Sequence, residues 1–211
     1  TSDGTYEAKT VILAMGAYPR ELGLPNEREL RGRGVSYCAT CDGAFFRNKV
    51  TAVIGGGDVA VEDAIFLARM CSKVYLIHRR NELRAAKSLQ ESLFAQENVE
   101  ILWDTVTDSI NGENKVESLS LTNKKTGEKR ELPVDGVFIA VGISPNTEGL
   151  EDLVAMDGGH YILAGEDGKT SRPGIFAAGD VRTKNLRQIV TAVADGANCV
   201  TSAERYLNGQ Q

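Results

Sequence analysis

Val50-Thr51-Ala52-Val53-Ile54-Gly55-Gly56-Gly57-Asp58-Val59-Ala60 is the stretch that decides the fold. A short run rich in β-branched residues ends in three glycines. From Asp58 onward apolar residues recur at three- and four-residue steps, through Val59, Ala60, Ala64, Leu67, Ala68 and Cys71. The pattern predicts strand, tight turn and helix, with Asp58 capping the first helical turn through its carboxylate. Gly55-x-Gly57-x-x-Ala60 then occupies the place of a dinucleotide fingerprint. Gly55 permits the turn, Gly57 lets the backbone approach a pyrophosphate, and Ala60 keeps the helix close to the sheet. The free N–H groups where the helix starts, around Asp58 and Val59, face the anion.

The next strand, Val74-Tyr75-Leu76-Ile77, ends in His78-Arg79-Arg80, with Arg84 expected one helical turn further on. An enzyme selective for NAD places an acidic side chain about 20 residues after the glycines, to accept from the ribose 2′-hydroxyl. Here guanidinium groups stand there instead, and they pair bidentately with a 2′-phosphate that a carboxylate would repel. The expected cofactor is NADPH. The bland alternative, a solvated basic start to a helix, conflicts with the preference of basic residues for helix C-termini.

Working outward, a second helix is expected from about Arg84 to Gln96 with Leu89, Leu93 and Phe94 on one face. Turn signals at Asn111-Gly112 and Thr126-Gly127 then bracket an antiparallel meander. Val137-Phe138-Ile139-Ala140-Val141 reads as a buried strand, and a last helix from about Arg187 to Leu207 carries Ile189, Val193, Ala197 and Val200 on one face. Short strands alternating with helices predict an α/β fold with a parallel sheet.

Composition narrows the function. The 24 basic and 29 acidic residues of 211 leave a formal charge of −5, which gives no general attraction for nucleic acid or anionic lipid. No apolar run approaches the roughly 20 residues that span a bilayer, and the opening Thr1-Ser2-Asp3-Gly4 is no secretory signal. A cytosolic setting is expected. In a reducing compartment the close pair Cys38 and Cys41 points to redox or metal chemistry. A thiolate of such a pair attacks an external disulfide and its neighbour resolves the mixed species. Half a zinc site is the alternative, but it needs two further ligands. Cys71 and Cys199 read as buried hydrophobes in helices and His78 belongs with the arginines, so no second ligand pair emerges and no metal is expected. Asp42 serves equally as a proton donor to a leaving thiolate or as a turn residue with Gly43.

Cys38-Ala39-Thr40-Cys41-Asp42-Gly43, then Gly55-Gly56-Gly57, then His78-Arg79-Arg80-x-x-x-Arg84-Ala85, in that order and spacing, resembles the low-molecular-weight, bacterial-type thioredoxin reductases. Gly179-Asp180-Val181 and Arg187-Gln188-Ile189 resemble the segments of that family that touch the ribityl chain, pyrophosphate and isoalloxazine edge of FAD. The resemblance covers essentially the whole chain. It implies a Rossmann-like, three-layer ββα NADPH-binding and redox-disulfide domain over residues 21–138, inserted in a partial FAD domain made of residues 1–20 and 139–211. It also implies that Cys41 lies beside the flavin, that Cys38 attacks the disulfide of a thioredoxin-like partner, and that Asp42 donates the proton. Linkers near Glu21 to Arg31 and near Val141 to Pro145 are the expected hinges, and the intact enzyme is expected to be a homodimer. The family's first FAD-binding βαβ unit, roughly 100 residues, is expected before Thr1, so FAD is expected to be absent from this chain or weakly held by it. The rival enzymatic reading is the reductase subunit of an alkyl hydroperoxide system, though Ala39-Thr40 between the cysteines is typical of thioredoxin reductase. A nucleotide-binding module without catalysis is the rival from another class.

Overall fold

Val50–Gly55 forms a strand and Asp58–Ala68 a helix, as the opening stretch predicts. The structure, a computed structural model, describes residues 3–209. In chain order the strands are β1 (Val11–Leu13), β2 (Ala17–Pro19), β3 (Val35–Ser36), β4 (Val50–Gly55), β5 (Lys73–Ile77) and β6 (Val99–Leu102), followed by β7 (Thr105–Asn111), β8 (Ser118–Asn123), β9 (Lys129–Pro133), β10 (Gly136–Ala140), β11 (Ile143–Pro145) and β12 (Ile175–Ala177). The α-helices are α1 (Ala39–Asp42), α2 (Asp58–Ala68), α3 (Lys87–Phe94) and α4 (Ile189–Leu207). The chain divides into two compact units, Pro19–Gly142 and Thr1–Tyr18 with Ile143–Gln211.

In Pro19–Gly142 a parallel sheet runs in the order β3-β10-β4-β5-β6, with Val53 opposite Leu76 on one side and Phe138 on the other. Side chains alternate across a strand, and both sets are buried. Val53, Leu76 and Phe138 pack under Ala60, Ala64 and Leu67 of α2 and Leu93 of α3. Ala52, Ile54, Ile77 and Val137 pack against Ile110, Leu119 and Leu121 of the antiparallel meander β7-β8-β9. This makes three layers, helix, parallel sheet and meander, which is the expected ββα arrangement. Cover on both faces is what a wholly parallel sheet requires, and each fully buried Leu or Phe contributes about 1.5–3 kcal/mol.

Local details depart from the expectations. Asp58 is the first residue of α2 and Gly57 its cap. The Asp58 carboxylate does not cap α2; it accepts the N–H of Ala86 at 2.8 Å. Ala86 is the N-cap of α3, which therefore starts at Lys87 and leaves Arg84 in the preceding loop. That loop is held out of helical conformation because its donors are used elsewhere, the Arg84 N–H bonding the Gly56 carbonyl at 2.8 Å. Phe94 does not share the Leu93 face and is 60% exposed, and Val59 is 57% exposed at the outer edge of α2, where Val61 is buried instead. Residues 21–31 are not a free linker. They fold within this unit, with the Leu22 and Leu24 N–H groups bound by Glu27.

In the other unit β1 pairs in parallel with β12, β2 pairs with β11, and Leu13, Val154, Ile162, Ala177 and Val181 form a small core. Extended Gln188 caps α4 and exchanges side-chain bonds with Thr191, so the helix begins at Ile189 rather than Arg187. Its buried face is Asp195, Cys199, Ser202 and Ala203. The face predicted to pack is the opposite one, with Ile189 85% and Val193 67% exposed. The reason is spacing. Cys199 Sγ lies 3.4 Å from the Ala177 carbonyl, and a Cβ added at Gly168 would fall 2.2 Å from that sulfur. Only small side chains let the helix come so near. Among the described residues no helix is long and apolar enough to cross a membrane.

Candidate functional site

The C-terminal ends of β4, β5 and β10 open into a cavity of about 380 Å³ within Pro19–Gly142. Gly55, Gly56, His78, Arg79 and Arg84 line it, together with Leu22, Leu24 and the run Thr105–Thr107. The three glycines are there for different reasons. A Cβ at Gly55 would fall 2.5 Å from both the Ala140 carbonyl and Ala60 Cβ, so crowding between helix and sheet, rather than turn conformation, requires it. A Cβ at Gly56 would strike the His78 ring. At Gly57 a Cβ would meet nothing within 4 Å, so this is the open flank of the loop, next to the start of α2. Val59 is exposed beside it and Ala60 is fully buried.

His78 is buried beneath this loop, its Nε2 2.9 Å from the Glu82 carbonyl and its ring edge-on to Trp103. Burial, assisted by Arg84 and Arg80, outweighs the carbonyl bonds and pushes its pKa down. The imidazole packs directly beneath Gly56, and its burial disfavours the charged form. Arg79, Arg80 and Arg84 are all exposed. Arg79 and Arg84 line the cavity, whereas the wall does not include Arg80.

Cys38 and Cys41 are joined in a disulfide across α1. Cys38 Sγ accepts the Cys41 N–H at 3.2 Å and lies 3.4 Å from Thr40 Oγ1. Cys41 is the more exposed of the two. Asp42 accepts from Ser36 Oγ at 2.6 Å, and Ser36 Oγ also accepts the Cys38 N–H at 3.1 Å. The carboxylate thus reaches the disulfide backbone through one hydroxyl. Cys71 and Cys199 are buried thiols, each pushed up in pKa first by burial.

In the other unit Gly179, Asp180 and Val181 form a tight 3₁₀ turn. Gly179 has φ +77°, where a side chain would be strained. The turn is pinned by Asp195, which accepts the Gly179 N–H at 2.9 Å, Arg182 at 2.9 and 2.6 Å, and Lys184 at 2.8 Å. Burial by itself would raise the Asp195 pKa, but these bonds hold it at about 2. Asp180 Oδ1 and Arg187 Nε are shielded from solvent and have no hydrogen-bond partner among the described residues. Arg187 lies over the Tyr161 ring at 4.1 Å, Gln188 is engaged in capping α4, and Ile189 projects outward. Asp180 also borders a groove of about 450 Å³ lined by small residues, among them Ala14, Gly16, Ala178 and Ala192.

Residues 1–196 match the family model described as pyridine nucleotide-disulphide oxidoreductase. The chain belongs to that family. It is 47% identical over 210 residues to the thioredoxin reductase of Peptoclostridium litorale, covering 97% of this chain and 67% of that protein. Against the thioredoxin reductase of Treponema pallidum (strain Nichols) it is 47% identical over 211 residues, covering 100% of this chain and 68% of that protein. The crystal structure of thioredoxin reductase from Streptococcus pyogenes MGAS5005 superposes with a TM-score of 0.92 at 49% identity, covering 99% of this chain and 69% of that one. The chain therefore spans about two thirds of the length of these relatives.

The pyridine nucleotide of the family's description fits the cavity, because the open flank at Gly57 and the two lining arginines offer an anion cradle with a cationic end. At the groove beside Asp180 the residues leave room for a flat ring system such as a flavin, since the lining is mostly alanine and glycine and Asp180 Oδ1 has no partner among the described residues. The sequence reading missed Glu27, Tyr37 and Ser36, and also the Asp195 cluster. One signal for the cluster was available, since Asp195, Cys199 and Ser202 follow a helical period of their own.

Proposed function

We propose that the Pro19–Gly142 unit holds NADPH and carries the dithiol that reduces a thioredoxin-like disulfide, and that the whole enzyme is a thioredoxin-disulfide reductase. The observation that carries the reading is the presence of a Cys38–Cys41 disulfide, exposed at Cys41, in the same unit as a glycine-flanked cavity ending in Arg79 and Arg84. When bound, NADPH would supply the hydride and FAD would pass its electron pair to the disulfide. In this assignment the Gly55–Ala60 turn and the start of α2 receive the pyrophosphate, while Arg79, Arg84 and the neighbouring Arg80 receive the 2′-phosphate. Asp180, its turn partners Gly179 and Val181, and Arg187 with Gln188 and Ile189 are assigned to the flavin.

On the thiol side, two electrons break the S–S bond and leave two sulfurs that take up protons according to their pKa values. The Cys41 N–H and the Thr40 hydroxyl beside Cys38 Sγ favour thiolate there. Cys38 then attacks the partner's disulfide, and Cys41 displaces the reduced partner and reforms the bond. Asp42, which follows Cys41 and is fixed by the Ser36 hydroxyl, is assigned as the donor of the proton that the leaving thiolate requires. The subunit arrangement we assign is a homodimer of the whole enzyme.

The test is alkylation and mass analysis of the whole enzyme, first segment included, after mixing with NADPH and FAD and before an oxidised thioredoxin is added to take up the electrons. Two new thiols at Cys38 and Cys41 are expected, with NADH far less effective. Cys38→Ser is expected to abolish partner reduction, and Cys41→Ser to trap the mixed disulfide. Equal reduction by NADH and NADPH would remove the reading of the arginines.

A further inference from the structure

Glu27 is 1% exposed, although it lies in a surface segment whose neighbours Arg28 and Glu29 are exposed. Its Oε1 accepts the Tyr37 hydroxyl at 2.7 Å and the Leu22 N–H at 3.0 Å, while Oε2 accepts the Leu24 N–H at 2.9 Å and shares the Leu22 N–H at 3.1 Å. Burial and the carboxylate push the Tyr37 phenol up in pKa, so it remains a donor. Burying a carboxylate is costly unless its lone pairs are filled, and here one carboxylate gathers three donors from three points of the chain. Two of those points, Leu22 and Leu24, line the dinucleotide cavity. The third, Tyr37, directly precedes Cys38.

The sheet order shows which part of the ligand this wall meets. Arg79 and Arg84 stand beyond the end of β5, whereas Ala140 and Val141, which line the cavity with Leu22 and Leu24, stand at the end of β10, on the far side of β4. A dinucleotide with its pyrophosphate on the glycine turn at the end of β4 lays its two halves to either side. With the 2′-phosphate of the adenosine half on the arginines, the nicotinamide half falls against Leu22, Leu24 and Val141.

We infer that Glu27 is a positioning residue that sets the Leu22–Leu24 wall for the nicotinamide half of the cofactor and ties that wall to the backbone next to Cys38. The inference rests on the dinucleotide reading proposed above. In Glu27→Gln one oxygen becomes an amide NH₂: on the Oε2 side it leaves the Leu24 N–H unpaired, on the Oε1 side it forces the Tyr37 hydroxyl to turn and accept, and either way the bonds to a charged acceptor are lost. The wall loosens while the arginine end is untouched.

The experiment titrates the full chain and its Glu27→Gln variant with two probes, NADPH and adenosine 2′,5′-bisphosphate, which carries only the arginine-facing half. NADPH binding is expected to weaken about tenfold, with the bisphosphate unchanged within about twofold, as for loss of a hydrogen bond to a charged group. Unchanged NADPH affinity in the folded variant overturns the inference, and so does equal weakening of both probes, which would mark Glu27 as merely structural. Failure of the bisphosphate to bind the unaltered chain overturns the dinucleotide reading itself, before any variant is made. If circular dichroism shows Glu27→Gln unfolded, Tyr37→Phe decides by the same two probes, removing one donor only, with about threefold weakening of NADPH alone expected.

Discussion

The two units bury acidic groups and apolar surface by opposite means. In Pro19–Gly142 the central apolar strand residues are covered by α2, α3 or the meander, and the buried Glu27 is satisfied by two amides and a phenol. In the other unit the branched residues of α4 point outward, small residues pack inward, and buried Asp195 is satisfied by Arg182 and Lys184 together with the Gly179 amide. Hydrophobic period therefore identifies the packed face in the first unit and the exposed face in the second. Charge lines the open cavity at Arg79 and Arg84, the rim proposed for the cofactor, but forms a structural knot at Arg182 and Lys184.

The largest expected effect follows from that knot. Asp195→Ala leaves Lys184 buried without this anion and Arg182 with only the exposed Glu166 at 3.4 Å, at a cost of about 3–5 kcal/mol. Hydrogen exchange should show lost protection in α4 and in the Gly179–Val181 turn, with β4 and β5 unchanged. Equal loss in both units would erase the contrast. The unaltered chain has a matching pH signature. Asp195 is held at about 2 in the fold against 3.8 ordinarily, so its contribution is present above 3.8 and lost as pH falls toward 2.

Next in size is the cofactor rim. Arg79→Ala with Arg84→Ala should weaken NADPH binding by roughly 10–100-fold, because charge-assisted bonds to a phosphate dianion are lost. NADH binding should not change, and thermal unfolding should shift little, since both side chains are exposed. A large loss of stability would show that these arginines, like Arg182, hold the fold together.

A smaller effect of opposite pH sign belongs to Asp63 on α2. Burial, then repulsion from Glu62, push its carboxyl up to about 6 from 3.8. The fold binds that proton more tightly than the unfolded chain does, so the ionised group is a penalty above pH 6 that is relieved as pH falls from 6 to 3.8. Asp63→Asn should stabilise Pro19–Gly142 by about 1–2 kcal/mol at pH 7 and flatten its stability between pH 4 and 6. Denaturant melts at pH 5 and pH 7 check the sign. The two units then respond to acid in different windows, one gaining between 6 and 3.8 and the other losing below 3.8.

Much of this was legible in the sequence wherever the signal is local. The β4 turn and α2 are written in consecutive residues, because a run of β-branched residues, crowded glycines and a helical period each report a backbone need at their own position. The meander was legible through Gly112 and Gly127, both at positive φ. Illegible features depend on partners distant in sequence. Nothing near Asp58 says that its carboxylate serves Ala86, 28 residues away. Nothing near Gly168 says that Cys199 will fill the space where a Cβ would go. The start of α3 was misplaced for the same reason, since the N–H groups that delay it are taken by Gly56 and Asp58 across the turn.

The smallest expected effect tests the outward face of α4. Val193 is 67% exposed, so Val193→Ser removes little apolar area that folding has taken from water. Serine and valine also have similar helix propensity. The change in unfolding free energy should therefore stay within about 0.5 kcal/mol, whereas truncating Leu67, fully buried on the inner face of α2, should cost about 2–5 kcal/mol. The pair measures the comparison directly, one apolar residue on each unit's long helix. A cost at Val193 approaching that at Leu67 would mean that this face is covered in solution, and the contrast between a unit that covers its own apolar residues and one that exposes them would fail at its most visible point.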